Sequence, residues 1–469
     1  TTTTELTNML KTNYLIIGTG AVGMAFADVL VSETKADIIM VDRFQKPGGH
    51  WNFAYPFVTL HQPSAFYGVS STELNKNRKD VVGLNKGLND LASGAEILAY
   101  YDEVMRHRFL PSGRVRYFPL CNYEGGGKFT STLTGESYQV EFDKIVDGSY
   151  LKTEIPSTHT PNFKVAPEVN FMSLNDLPGI STPPHGFVVI GGGKTGIDAC
   201  LWLLEHKVDP DKITWIVSRD AWLLDRRNTQ PTIEFFNYSI GAQADQLEAV
   251  ANATSIEDLF NRLEDKGVLV RIDKTVRPSM FHGATISIRE LEELRRIKNV
   301  VRLGRVRGIT SDSIELAEGS IPTSTGHVHI DCSASAISNL AIKPIFEGNL
   351  ITPQSVRSYQ PVFSAAFVAH IEATYDSEAK KNEVCTVVPI PNHDTDWIKM
   401  IAIFMVNQYN WNQEKGLKEW LINNRLDGFS ALMKQVSKDD HEKQAIIQRL
   451  RDNALPAVAK LQEFMAELS

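Results

Sequence analysis

The six residues Gly18-Thr19-Gly20-Ala21-Val22-Gly23 stand between an apolar run, Tyr14 to Ile17, and a helix-forming run, Ala21 to Ser32. A strand that turns through G-x-G-x-x-G directly into a helix leaves few folds open. The first glycine makes the tight turn, the second lets backbone approach a ligand, and the third packs helix against strand. The helix then presents unpaired N–H groups and the positive end of its dipole to an anion. A second apolar run, Asp37 to Val41, completes a strand–helix–strand unit, which requires a parallel sheet. Asp42 closes that run, 24 residues after Gly18, where a carboxylate can accept hydrogen bonds from a ribose diol; Arg43 follows it. Gly18, Gly20, Ala21, Val22, Gly23, Asp42 and Arg43 are therefore the first candidate dinucleotide site. The alternative is a glycine turn with no ligand.

The same grammar restarts after a proline-rich connector containing Pro156, Pro161, Pro167, Pro183 and Pro184. Strand Phe187 to Ile190 leads into Gly191-Gly192-Gly193-Lys194-Thr195-Gly196, helix Thr195 to His206 and strand Ile213 to Val217. Here the second strand ends in Ser218-Arg219 instead of an acid. A guanidinium beside a hydroxyl suits the 2′-phosphate of NADPH, which a carboxylate would repel. Gly191, Gly193, Lys194, Thr195, Gly196, Ser218 and Arg219 form the second candidate site. Arg219 and Lys194 have a plain alternative as solvated side chains.

A chain of 469 residues exceeds what one core organises, so two or three domains are expected. Further segments fill the frame: a helix around Ala95 to Phe109, and strands at Arg114 to Tyr117, Ser137 to Phe142, Val300 to Val306 and Ser313 to Leu316. From Asp396 onward helix formers dominate, which reads as a helical cap or a homodimer surface. The expected fold is α/β: two Rossmann-like dinucleotide-binding domains, the second inserted in the first, plus a C-terminal helical segment. Boundaries are expected at 1–155 and 329–395 for the first domain, 156–328 for the second and 396–469 for the helices.

The net charge of −8 argues against nucleic acid as a partner. The basic stretch Arg295 to Arg307 follows Glu290, Glu292 and Glu293 and reads as a solvated helix face. Cys121, Cys200, Cys332 and Cys385 form no Cys-x-x-Cys pair, so neither a disulfide framework nor a metal site is expected. The opening threonines lack the basic start and apolar run of a signal peptide, and Met400 to Val406 is too short to span a bilayer. A reducing, cytoplasmic compartment is the expectation.

Gly48-Gly49-His50-Trp51-Asn52-Phe53-Ala54-Tyr55-Pro56, followed by Ser64 and Tyr67, resembles the Gly-Gly-x-Trp…Tyr-Pro…Ser…Tyr stretch of class B flavoprotein monooxygenases. That group comprises the flavin-containing, Baeyer–Villiger and N-hydroxylating enzymes. Val146-Asp-Gly-Ser-Tyr150 and His329-Ile-Asp-Cys-Ser-Ala334 take the places of its Ala-Thr-Gly-like returns, so the resemblance spans most of residues 13 to 340. It implies FAD at the first loop and NADPH at the second. Gly49, His50, Trp51, His61 and Ser64 would border the flavin, and one oxygen atom of O2 would pass, through a flavin peroxide, to a small organic substrate. Gly48 and Gly49 let backbone lie close to the ring, and Trp51 offers an apolar wall; core packing is the alternative for Trp51 and Tyr55. His61 falls where Baeyer–Villiger enzymes often carry an acid. With Gln62 and Arg226 it is a candidate catalytic residue, able to move a proton near neutral pH; a histidine bonded to a backbone carbonyl is the other reading. The group's Phe-x-Gly-x-x-x-His-x-x-x-Tyr/Trp fingerprint is absent; Ser157-Thr-His159-Thr-Pro161-Asn-Phe163 stands in its place. A flavin reductase without oxygen transfer, or a nucleotide-binding redox sensor, are the alternative functions.

Overall fold

The computed structural model describes residues 8–151, 161–333 and 340–469. The N-terminal threonines, His159 and Ala334 lie outside the described residues.

The first glycine loop joins β1 (Met9–Ile17) to α1 (Ala21–Glu33), and β2 (Ile38–Val41) follows. Next come α2 (Gly94–Val104), β3 (Val115–Phe118), β4 (Cys121–Gly125), β5 (Lys128–Ser131) and β6 (Ser137–Asp147). β6, β1, β2 and β3 lie side by side and parallel. β5 and β4 extend the sheet antiparallel from β6. Parallel strands covered on both faces read as continuous apolar runs, and β2, Ile-Ile-Met-Val, is buried at every position. α1 is apolar nearly all round, and Val22 to Leu30 are all buried. Its buried charge, Asp28, accepts hydrogen bonds from Ser71 N at 3.0 Å and Arg108 Nε at 2.8 Å. On the other face Leu15, Ile39, Val41, Cys121, Phe129 and Val140 form a separate cluster, with the Phe129 and Tyr138 rings stacked at 4.9 Å.

The second sheet is built from β7 (Phe171–Ser173), β8 (Gly186–Ile190), β9 (Ile213–Ile216), β12 (Val300–Val301) and β13 (His327–Asp331), with α3 (Lys194–Glu205) after β8. Between β9 and β12 lie the pair β10 (Ala221–Asp225) and β11 (Met280–Ile286), with α4 (Phe236–Asn252) and α5 (Ile288–Leu294). Its order is β12-β9-β8-β13-β7, all parallel. β14 (Phe346–Glu347) and β15 (Leu350–Ile351) then return to the first sheet, where β15 pairs with β6. The tract from His329, read from sequence as part of the return, instead supplies through Asp331 a strand of the second sheet. That strand is needed to flank β8 on the side away from β9, as β6 flanks β1. Arg295 to Arg307 is likewise no helix face: α5 ends at Leu294, and Arg295 and Arg302 are spent on Ile272 O and Asp220.

α6 (Pro361–Thr374) packs along α1, and His370 near its C-terminal end touches Glu33, the last residue of α1. The two helices therefore run parallel, with both N-termini on the same side. From Asp396 the chain is helical: α7 (Asp396–Gln413), α8 (Leu417–Asn423), α9 (Phe429–Lys434) and α10 (His441–Leu468). α7 and α10 share a core with Trp222 of β10 and Phe281 of β11. Among the described residues no helix is long and apolar enough to cross a membrane, no group of His, Cys, Asp and Glu could hold a metal ion, and all four cysteines are free and buried.

Candidate functional site

The two glycine loops are the same construction built twice. Gly18 and Gly191 both have left-handed φ, +100° and +128°. Gly18 N donates to Val41 O at 2.8 Å, and Gly191 N to Ile216 O at 3.0 Å. A Cβ on Gly23 would lie 2.0 Å from Gly18 O, and one on Gly196 1.9 Å from Gly191 O. The strand on the far side ends in the same turn each time: Asp147 accepts from Ser149 N, and Asp331 from Ser333 N, both at 3.0 Å. No side chain caps α1 or α3, so each leaves its first-turn N–H groups for a ligand.

At the first loop, Asp42 is buried, and its Oδ2 accepts from Thr19 N at 2.6 Å and Thr19 Oγ1 at 2.7 Å. Its Oδ1 accepts from Phe44 N. Asp42 thus braces the loop, and only its remaining lone pairs are left for a ribose. Arg43 is exposed, its guanidinium 4.9 Å from the Phe44 ring. Gly48 N donates to Thr19 O, and a Cβ on Gly49 would lie 3.0 Å from Gly20 Cα, so the Gly48–Gly49 backbone lies against the loop. Ser64 is fully buried, bonded to Asp90 O and Ala92 N, and holds the segment rather than facing a ligand. Gln62 Nε2 donates to Tyr359 O at 2.9 Å.

At the second loop a cavity of about 510 Å³ opens at the carboxyl ends of β8 and β9. One wall is Gly191 to Thr195 with Ser218 and Arg219; the other is His50, Trp51, Tyr55 and His61, from the segment that follows the first loop. Lys194, Arg219 and Arg305 line it together with His50, His61 and His282, and among the described residues no carboxylate does, in a chain of net charge −8. Arg219 donates to Asn392 Oδ1 at 3.1 Å, and His282 Nε2 lies 2.9 Å from the same oxygen. Arg305 is exposed; its carbonyl accepts from Ala317 N at 2.9 Å, and its guanidinium makes no ion pair or hydrogen bond among the described residues.

Behind this wall is a polar cluster. Lys194 Nζ donates to Thr59 O at 2.9 Å, and burial lowers its pKa, opposed by Asp198 and reinforced by Arg226. Asp198 meets His61 Nε2 at 2.9 Å through Oδ1 and accepts the Tyr55 hydroxyl on Oδ2. Burial alone would raise the Asp198 carboxyl, but His61, Lys194 and Tyr55 hold it below the usual range. Burial pushes the His61 imidazole down despite Asp198, with Lys194 and Arg226 adding to the fall. His50 is driven to about 4, by burial and then by Lys194. Arg226 does not line the cavity. It is 1% exposed and spent on Glu290 at 2.5 Å, Asn85 at 2.6 Å, Thr285 O and His61 O. It therefore positions His61 through its backbone, from outside the cavity lining.

No family model matches the chain. The Mycobacterium tuberculosis protein Rv2000 and the Mycobacterium bovis protein Mb2023, both described as uncharacterized, are each 46% identical to it over 442 residues, 93% of this chain and 81% of theirs. The chain belongs to the family of these mycobacterial proteins. Solved structures to which it is similar include cyclohexanone monooxygenase, at 14% identity and a TM-score of 0.49 over 80% of this chain and 92% of that one. A flavin monooxygenase from Stenotrophomonas maltophilia matches at 11% identity and 0.47, over 79% and 100%. The bacillithiol disulfide reductase of Bacillus cereus matches at 14% and 0.43, over 78% and 100%. Such slight likeness spans different chemistries and transfers none of them.

Sequence reasoning missed Asp198, Arg305, His282 and Asn392. Only Asp198 left a signal: an acid two positions after Gly196, between Ile197 and Ala199-Cys200, on a helix otherwise destined for burial.

Proposed function

We propose that the chain is an FAD- and NADPH-dependent oxidoreductase that transfers one oxygen atom of O2 to a small organic substrate. The second dinucleotide-binding unit is inserted in the first and includes β13. The reading is carried by one observation: the basic cavity at the second glycine loop, lined by no carboxylate among the described residues, whose opposite wall comes from the segment after the first.

The first loop fits FAD. Gly18 makes the turn, Gly23 lets α1 pack against it, Gly20 lets backbone approach a pyrophosphate, the N–H groups of Ala21 and Val22 face it, and Gly48–Gly49 lies alongside. Two buried atoms without partners, Asn52 Oδ1 after that segment and Ser358 Oγ before the N-terminus of α6, fit a ligand with donors and acceptors of its own. FAD, when bound, supplies acceptance of a hydride and, once reduced, reaction with O2. The protein binds, orients and excludes water. Gly191, Gly193, Thr195 and Lys194 hold the NADPH pyrophosphate, and Ser218 and Arg219 its 2′-phosphate, joined by Arg305. Trp51, its indole N–H fixed on Tyr67 at 2.7 Å, and Tyr55 close the cavity between the nucleotides.

Two experiments test this. The purified protein, supplied with FAD, should retain a flavin absorbance and consume NADPH in air. A protein that stays colourless and binds no FAD sinks the reading; NADPH use that yields only hydrogen peroxide with every substrate reduces it to a reductase. Second, Arg219→Ala and Arg305→Ala should each weaken NADPH binding about 10-fold or more while changing NADH binding little, because each removes a charge-assisted bond that only the 2′-phosphate makes. Equal losses for both nucleotides would place these arginines elsewhere.

A further inference from the structure

One buried, unpartnered ring nitrogen borders the cavity at the second loop. His61 Nδ1 is shielded from solvent and has no hydrogen-bond partner among the described residues, although the other ring nitrogen is held by Asp198. Buried histidines satisfied for structural reasons use both nitrogens or reach water, so an orphaned nitrogen beside a cavity calls for an explanation. The rest of the residue is pinned. Its carbonyl accepts from Arg226 Nε at 2.9 Å and Thr285 Oγ1 at 2.5 Å, and Gln62 is tied to Tyr359 O.

Asp198 decides which nitrogen carries the proton. Its Oδ2 takes the Tyr55 hydroxyl and its Oδ1 faces His61, so the carboxylate has a donor on each oxygen and stays ionised. Its partner atom must then be Nε2–H, which leaves Nδ1 as a bare lone pair. We propose that Asp198 and Tyr55 fix His61 as the Nε2–H tautomer, so that Nδ1 is the base that removes a proton from a substrate carrying an acidic O–H or N–H in this cavity. In that step the substrate O–H or N–H bond breaks, its electron pair stays on oxygen or nitrogen, and a new N–H bond forms at Nδ1. The resulting imidazolium faces Asp198, which offsets its charge. The groups around the ring are Asp198 and Lys194 from α3, Tyr55 from its own segment, Arg226 after β10 and Glu290 of α5. The net pressure of burial, Lys194 and Arg226 keeps the resting ring neutral and able to accept a proton. Asp198 is thus a positioning residue, and His61 the group that touches substrate. This rests on the oxidoreductase reading proposed above and adds that the same cavity admits the substrate.

The test uses the full chain with 15N-labelled histidine, the His61 signals being assigned by their loss in His61→Gln. Between about pH 6 and 8, where an ordinary imidazole titrates, His61 should be the neutral Nε2–H tautomer with an unbonded Nδ1. Asp198→Asn should shift the tautomer ratio about 10-fold or more, and Asp198→Glu should restore it. An Nδ1–H tautomer or an imidazolium in the native protein, or an unchanged ratio in Asp198→Asn, overturns the proposal. 4-Nitrophenol serves as the O–H probe. The wild type should raise its phenolate absorbance above that of free dye at equal pH and His61→Gln should not; equal absorbance with both proteins overturns the proposal. Titration with NADP+ separates the two readings, since loss of nucleotide binding sinks the cofactor assignment while leaving the tautomer measurement intact.

Discussion

Gly196→Ala is expected to weaken NADPH binding at the second loop at least about 100-fold and to lower stability by about 3 kcal/mol, the upper range for overpacking. The added Cβ would sit 1.9 Å from Gly191 O, which is backbone and cannot swing aside. Either α3 moves off the end of β8 or the turn at Gly191 opens, and both remove the N–H groups from the phosphate. Gly23→Ala should do the same to FAD retention, its Cβ falling 2.0 Å from Gly18 O. Gly193→Ala is the contrasting variant. Its φ of −84° suits any residue, and a Cβ there meets nothing within 4 Å. Melting temperature should stay put while NADPH affinity falls, because the open space is where a pyrophosphate would lie. Isothermal titration and thermal melts on the three proteins check this; unchanged NADPH affinity in Gly196→Ala would remove the loop from the binding site.

These glycine loops were readable in sequence because their chemistry is local. Strand, turn and helix follow one another within about 20 residues, and Gly23 and Gly196 are each demanded by a carbonyl five positions back, that of Gly18 and of Gly191. β1, α1, β2, β8, α3 and β9 accordingly appear within a few residues of where apolar periodicity puts them. Legibility fails where distance in sequence separates partners in space. Asn392 brackets Arg219 from 173 residues downstream, and Asp198 meets His61 across 137. Arg305 sits in a basic run in which Arg295, Arg296, Lys298 and Arg302 are spent on carbonyls and acids, and no pattern distinguishes it from them. Arg226, a catalytic candidate in the sequence, fails for the opposite reason: its burial with Glu290 turns it inward, and nothing local in the sequence signals that partner. β13 was misassigned because a parallel strand's place in a sheet depends on which crossover it follows, which a short apolar tract does not encode.

Arg226→Ala is the substitution outside the loops expected to cost most, about 3–5 kcal/mol, the usual penalty for removing one member of a buried ion pair. The loss exceeds the pair itself. Glu290 is left inside with Ser287 N and Asn85 as its remaining donors, and His61 O loses one of two anchors. Burial favours the protonated Glu290 carboxyl, and Arg226 with Ser287 and His61 holds it below its ordinary value of 4.5. A depressed carboxylate contributes stability that is present above its unfolded pKa and lost as pH falls through the folded one. In Arg226→Ala that contribution disappears, and protonating Glu290 becomes favourable. The stability gap between wild type and variant should therefore be widest at neutral pH and narrow as pH drops below about 4.5. Urea unfolding at several pH values measures it. Glu290→Ala should cost a similar amount, and the double variant less than the sum, because two neutral side chains leave no buried charge unpaired. Strict additivity would mean that the two side chains act on stability independently. In that case the His61 anchor, rather than the ion pair, would be what Arg226 supplies.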